Sequence, residues 1–208
     1  MKLTSVSRQR LVFCKRIKYN LSMYIAKKVV KGFMEKLMLV WPAEEHSEAA
    51  QDYLEEHISY GENELHGAAL MDRMEFDPWL AMSIRNRDAA TANPHWVQSS
   101  TFFVFRESDK RMIGMVDIRH RLNDFLASFG GHIGYGVRPT ERQKGYAKEI
   151  LRLALEYARS EIGIEKVMIA CYKENAGSWK TILANGGRLE REFVHTDGKT
   201  VRVYWVNL

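Results

Sequence analysis

The sequence predicts one α/β domain, a mixed sheet with helices on both faces, and three observations lead to that class. Strand-like and helix-like runs alternate from about residue 34 to the end, no repeat or low-complexity linker interrupts them, and one long helix carries a single apolar stripe. A chain of 208 residues with 46% hydrophobic and 27% charged side chains suffices for one well-buried domain. No run approaches the ~18 apolar residues of a membrane span, so integral membrane association is not expected.

Each element has its own local warrant. Lys36–Trp41, KLMLVW, reads as the first strand, and residues 43–61 as a helix whose acidic first turn suits the macrodipole and which stops at Gly61. Residues 77–89, DPWLAMSIRNRDA, predict a second helix with Asp77 as cap, Pro78 at the first position and Trp79, Leu80 and Ile84 as its apolar face. STFFVFRE and RMIGMVDIRHRL flank the turn SDK as a β-hairpin. The loop NDFLASFGG then leads into a third strand, HIGYGV. After the long helix, EKVMIACY is a continuous apolar run suited to a buried strand, and AGSWKTILANGG a short helix stopped by Asn185 and Gly186. RLEREFV and TVRVYWVN around HTDGK form a last hairpin.

The net charge of +5 is unevenly placed. Residues 1–33 hold nine basic and no acidic side chains, leaving 22 basic and 26 acidic residues in 34–208, a formal charge of −4. The body therefore offers no general polyanion-binding surface, and nucleic acid is not an expected partner. The leader reads as dispensable or as lying upstream of the true start; a basic arm for RNA or anionic lipid and a transit-type presequence are the other readings. Two cysteines, Cys14 and Cys171, stand far apart with no metal-ligand spacing. A reducing, cytoplasmic setting, no metal, and core packing for Cys171 are expected.

The stretch VRPTERQKGYAKEILRLALEYARSE is the most informative. Ala147, Ile150, Leu151, Ala154, Leu155 and Ala158 form one helical stripe for packing on a sheet. Ahead of it, backbone N–H groups from about Arg142 to Ala147 lack carbonyl partners and suit an anion. Gly145 lets a phosphate approach the backbone, Ala147 keeps the first turn slim, and Arg142 and Lys144 add positive charge. Thr140 with Gln143 also matches a capping box, so an ordinary helix start stays open on these residues alone. A dinucleotide fold is excluded, because the glycines of GGHIGYG alternate along a strand and Pro139 falls where the last glycine of that fingerprint belongs.

Arg142-Gln143-Lys144-Gly145-Tyr146-Ala147 resembles the Arg/Gln-x-x-Gly-x-Gly/Ala signature of the GNAT superfamily of acyl-CoA N-acyltransferases. The likeness continues in ENAGSWKTILANGG, with Asn175, Ser178 and Gly186 at the usual positions, and the element order agrees over nearly all of 34–208. The block from STFFVFRE to ERQKGYA looks like a branch of predicted bacterial acetyltransferases. The resemblance implies acetyl-CoA as cosubstrate, its pyrophosphate on the amides of Arg142, Gln143, Lys144, Gly145, Tyr146 and Ala147. It implies a splayed strand pair in which Val137 offers backbone groups to the pantetheine arm, with Asn175 and Ser178 beside it. A primary amine would attack the thioester directly in a ternary complex, so Cys171 is not needed as a nucleophile.

One departure stands out: many members carry a tyrosine acid seven residues after the helix asparagine, and this chain has Ile182 there. His132, at the start of the splayed strand, is the expected general base, with His120, Asp117, Asn123 and Asp124 as runners-up, Asp117 and Asp124 first among them. His120, Asn123 and Asp124 are the expected substrate-binding residues. Expected partners are a small-molecule or peptide amine and a second copy of the chain in a homodimer. A noncatalytic acyl-CoA-binding module, or a nucleic-acid-associated protein using the basic leader, is the alternative function.

Overall fold

The computed structural model describes residues 23–24 and 35–208. Its strands are β1 (Met23–Tyr24), β2 (Leu37–Val40), β3 (Ser99–Arg106), β4 (Met112–Arg119), β5 (Ile133–Val137), β6 (Lys166–Tyr172), β7 (Arg188–Val194) and β8 (Thr200–Asn207). The α-helices are α1 (Ser47–Ser59), α2 (Phe76–Asn86), α3 (Tyr146–Tyr157) and α4 (Ala176–Ala184). The rest of the basic leader, Cys14 included, lies outside the described residues; β1, inside the leader, pairs antiparallel with the outer edge of β2 through Met23–Val40 and Tyr24–Leu39.

The expected mixed sheet resolves into two antiparallel sheets, one of five strands in the order β1-β2-β3-β4-β5 and one of three in the order β6-β8-β7. They meet where β5 and β6, joined by the α3 crossover, lie side by side. The stripe on α3 packs as the spacing predicts: Ile150, Leu151, Ala154, Leu155 and Ala158 are buried against Phe102, Val104, Val116, Ile118, Val167 and Ile169 from both sheets. The opposite face of the first sheet is covered by α1 and α2 through Tyr53, Trp79, Phe103, Phe105 and Met115. Burying such side chains contributes roughly 1.5–3 kcal/mol each, so the two faces hold the five-stranded sheet from both sides.

Local expectations fail where capping competes with packing. Asp77 does not cap α2; Glu75 is the N-cap residue, with extended backbone, and Pro78 falls inside the first turn, where a missing N–H still costs no helical bond. Ile84 is exposed, and the buried face of α2 is Trp79, Leu80, Met82, Ser83 and Asn86. Residues 124–130, expected as loop, are helical and end in a π turn, and Asn123 Oδ1 accepts the Leu126 N–H at 3.0 Å to start them. This segment covers the outer face of the second sheet, bringing Leu122 and Phe129 onto Met168, Val201 and Val203.

The α1–α2 connection lies flat against β5. Trp79 Nε1 donates to the carbonyls of both Ala68 and Ala69 at 3.0 Å, pinning a stretch where Ala69 and Leu70 hold positive φ. A Cβ on Gly67 would come 2.6 Å from Gly134 O, and one on Gly136 2.7 Å from His66 O. The alternating glycines of IGYGV therefore serve close backbone approach across a strand face.

Candidate functional site

The chain leaves β5 through a single 3₁₀ turn at Pro139–Glu141, and α3 begins only at Tyr146. Between them the backbone is irregular, with left-handed φ at Gln143 (63°) and Gly145 (87°). The Arg142 N–H donates to Pro139 O at 3.3 Å, and the N–H groups of Lys148 and Glu149 both reach Gly145 O. The five successive N–H groups between them, from Gln143 to Ala147, have no hydrogen-bond partner among the described residues. Unpartnered consecutive amides at the positive end of a helix dipole make a site for a phosphate-like anion. The capping box is not formed: Gly145 is the N-cap residue, and Thr140 gives both its N–H and its hydroxyl to Glu56 at 2.9 Å.

The two cations expected beside the anion are held elsewhere. Arg142 makes a two-pronged pair with Glu62, at 2.5 and 2.7 Å, and its Nε donates to Val137 O at 3.1 Å. Lys144 Nζ donates to Glu141 at 2.9 Å, a buried carboxylate that also takes Arg106 and Arg111. Both side chains thus brace the loop, and the amides are left as the anion donors. Arg142, with His57 on the other side, holds the Glu62 carboxyl down at about 2. Burial alone would raise Glu141, but hydrogen bonds from Lys144 and Arg106 outweigh it and lower its pKa.

A lowered folded pKa adds stability that is present above the unfolded value and lost as pH falls through the folded one. Unfolding temperatures should therefore fall between about pH 4.5 and pH 2, the ordinary and folded values for Glu62. A series of melts should show that fall blunted in Glu62→Gln, whose side chain cannot titrate; an identical slope in the variant would remove Glu62 as its source.

The register of β4 with β5 decides which backbone groups face the splay. Arg138 N–H donates to Ile113 O and Arg119 N–H to His132 O, so the even-numbered residues of β5 bond β4. Ile133, Tyr135 and Val137 then turn their N–H and C=O groups to the free edge. The Val137 carbonyl is already engaged by Arg142, so of the two groups expected for a bound arm only its N–H remains. Across the gap, Asn175 Oδ1 caps α4 by accepting the Ser178 N–H at 3.0 Å. Ser178 Oγ lies 3.1 Å from the Tyr135 hydroxyl, a link between β5 and α4. Burial pushes the Cys171 thiol up and packs it in the core, which suits a side chain with no nucleophilic task.

The expected catalytic and acceptor residues are not gathered in one place. His120 Nε2 pairs with Ser100 Oγ at 2.8 Å, and Ser100 faces Tyr157 of α3. Asp117 projects from the other face of the sheet, where its carboxylate takes the Thr101 hydroxyl at 2.9 Å and Arg119 Nε at 3.2 Å. Asn123 is a helix cap and Asp124 is exposed beside it. His132 is buried, and its Nδ1 accepts the Met168 N–H at 2.9 Å, so the lone pair a general base would use is occupied. Sequence reasoning missed Glu62, Glu141 and Tyr135. The two glutamates carry no local pattern, whereas Tyr135 had one: between two strand glycines, it shares a face with Ile133 and Val137.

Comparison with known proteins gives a consistent picture. The acetyltransferase (GNAT) domain family matches residues 36–188. An uncharacterized N-acetyltransferase of Bacillus subtilis, YnaD, is 33% identical over 72 residues, spanning 33% of this chain and 42% of that protein. This chain thus matches less than half the length of that curated relative. Among solved structures, the ribosomal-protein-S5-alanine acetyltransferase of Vibrio fischeri superposes with a TM-score of 0.65 at 14% identity, covering 86% of this chain and 97% of that one. The microcin self-immunity acetyltransferase MccE, in complex with acetyl-CoA and AMP, does so with a TM-score of 0.61 at 17% identity, covering 84% and 94%. Mutant forms of the spermidine/spermine N-acetyltransferase SpeG of Vibrio cholerae give 0.56 at 16% identity over 82% and 93%.

Proposed function

Because this chain belongs to the family of GNAT acetyltransferase domains, we propose that it transfers the acetyl group of acetyl-CoA to a primary amine, with both substrates bound at once. The observation that supports the reading most is the run of unpartnered amides from Gln143 to Ala147, which suits a pyrophosphate, placed next to the free edge of β5. An extended pantetheine arm can pair with that edge as a further strand would, beside Asn175 and Ser178. The amine, once neutral, attacks the thioester carbonyl; the C–N bond forms as the C–S bond breaks, the nitrogen gives up a proton to water, and the thiolate takes one up. Ile182 is fully buried and has no proton to give, so the hydroxyls of Tyr135 and Ser178 are the donors assigned to that step.

For the acceptor we favour a cationic amine. Residues 34–208 carry a formal charge of −4, and relatives by fold include enzymes named for spermidine/spermine and for a ribosomal protein. The proposed catalytic unit is residues 34–208, working as a homodimer in a reducing cytoplasm. No helix among the described residues is long and apolar enough to cross a membrane.

The test is calorimetric titration with coenzyme A, followed by a thiol-release assay with acetyl-CoA against polyamines, aminoglycosides, simple amines and peptide N-termini. Micromolar-range binding with turnover on at least one amine is expected, since coenzymes and substrates commonly bind in the ~1 μM to 1 mM range. Binding without turnover on any amine would favour the noncatalytic module, and no binding at all would remove the proposal.

A further inference from the structure

We propose that His132 is a positioning residue: its ring replaces a main-chain acceptor and closes the inner end of the gap between β5 and β6. This rests on reading that gap as the thioester site. In a regular parallel ladder, one residue presents both its N–H and its C=O to the neighbouring strand. His132 cannot do so. Its N–H donates to Met168 O at 2.7 Å, but its C=O is turned to β4, where it accepts the Arg119 N–H at 2.8 Å. The main-chain acceptor that such a ladder would offer the Met168 N–H is the carbonyl two residues before His132, Gly130 O, which takes Arg119 Nη1 at 3.2 Å instead; the Met168 N–H, in a residue only 1% exposed, would be left unpaired, a costly state for a buried donor. The imidazole removes the difficulty, because Nδ1 accepts that N–H at 2.9 Å. No other hydrogen bond joins β5 to β6 among the described residues, so this pair of bonds defines where the strands start to part.

The surroundings fit this task. Gly131, at φ 65°, makes the turn into β5, and a Cβ there would stand 2.7 Å from Met168 O, so the two strands touch at main-chain distance. Trp205 of β8 meets the ring edge-on, with centroids 6.3 Å apart. The charged groups around it are Arg119 of β4, which pairs with Asp117 and holds the carbonyls of Gly130 and Gly131, and Lys166 of β6, which lies over the Trp205 ring. With Nδ1 accepting, the ring proton sits on Nε2 and the ring is neutral. Burial and the Arg119 charge favour that neutral form. Protonation would set two N–H groups against each other at the junction. The ring therefore has no lone pair to offer an amine, and its effect on catalysis passes through the position of β6.

The experiment compares wild type with His132→Asn, whose side-chain oxygen can accept the same N–H, and His132→Leu, which has similar bulk and no acceptor. Amide exchange at Met168 should accelerate on the order of 10- to 100-fold in His132→Leu and only a few-fold in His132→Asn. With the amine found in the acceptor panel, kcat/KM should fall about tenfold or more in His132→Leu and stay within about threefold in His132→Asn, with an unchanged pH profile. Rescue by Asn is the outcome that a general base would not allow. The proposal is overturned if Asn loses as much activity as Leu while Met168 stays protected in both, or if Leu changes neither readout. Should wild type acetylate no amine, the proposed function fails, and Met168 exchange alone still decides whether the ring is the closure.

Discussion

Gly145→Glu is expected to abolish coenzyme A binding while the domain stays folded. Gly145 is the N-cap residue of α3 at φ 87°, in the middle of the run of free amides. A carboxylate there would face the phosphates. At ~4 Å, two unit charges near a protein surface repel by about 4 kcal/mol, so an affinity loss of at least ~100-fold is expected. The positive φ adds a second cost, because any L side chain is strained in that region. Gly145→Gln separates the two effects, since it shares the backbone strain and lacks the charge, and it should bind more tightly than the Glu variant. Calorimetry of both, with thermal melts as the control for folding, is the measurement. A folded Glu variant with wild-type affinity would move the anion site away from α3.

The largest effect on stability is expected from Glu141→Ala. Glu141 is 3% exposed, and Arg106, Arg111 and Lys144 converge on it. Removing one partner of a buried charge cluster typically costs 3–5 kcal/mol, because the remaining charges are left without compensation. Arg106 keeps Asp109 and Glu35, and Arg111 keeps Glu56, so the lower end of that range applies, about 3 kcal/mol. For a domain of this length that corresponds to a melting-temperature drop of roughly 10 °C. Glu141→Gln should lie between, keeping the shape and losing the charge. Since the pair of Glu141 with Lys144 also braces the loop that carries the free amides, the Ala variant should bind coenzyme A more weakly even well below its melting temperature. A drop under about 2 °C would mean that the cluster contributes little.

From β2 onward the sequence by itself determined the order of the strands and the four α-helices, because hydrophobic spacing is local and strong; β1 and the helical turn at 124–130 were not read. The stripe from Ala147 to Ala158, the apolar run of β6, and the stop at Asn185 and Gly186, where φ is 84°, all appear in the structure as read. A run of unpartnered amides ahead of α3 was legible too, since it depends on backbone geometry at a helix start and on one glycine, although it spans Gln143 to Ala147 and the Arg142 N–H is taken by Pro139 O. Roles that depend on what a side chain meets across the fold were not legible. Arg142 and Lys144 read as free cations near an anion, and only the tertiary structure sets Glu62 and Glu141 against them. His120 and Asp117 lie close together in sequence yet serve opposite faces of the sheet, one bonded to Ser100 and the other to Thr101.

His132 shows the limit most directly. Its place at a strand start suggested a proton acceptor, and an acceptor it is, but for the Met168 N–H, 36 positions away. Spacing along a chain fixes which face a residue occupies, through the period of its own helix or strand. Which partner waits on that face depends on the packing of distant elements. Tertiary structure therefore decided where β5 parts from β6, which cations stay engaged, and which lone pairs remain for chemistry.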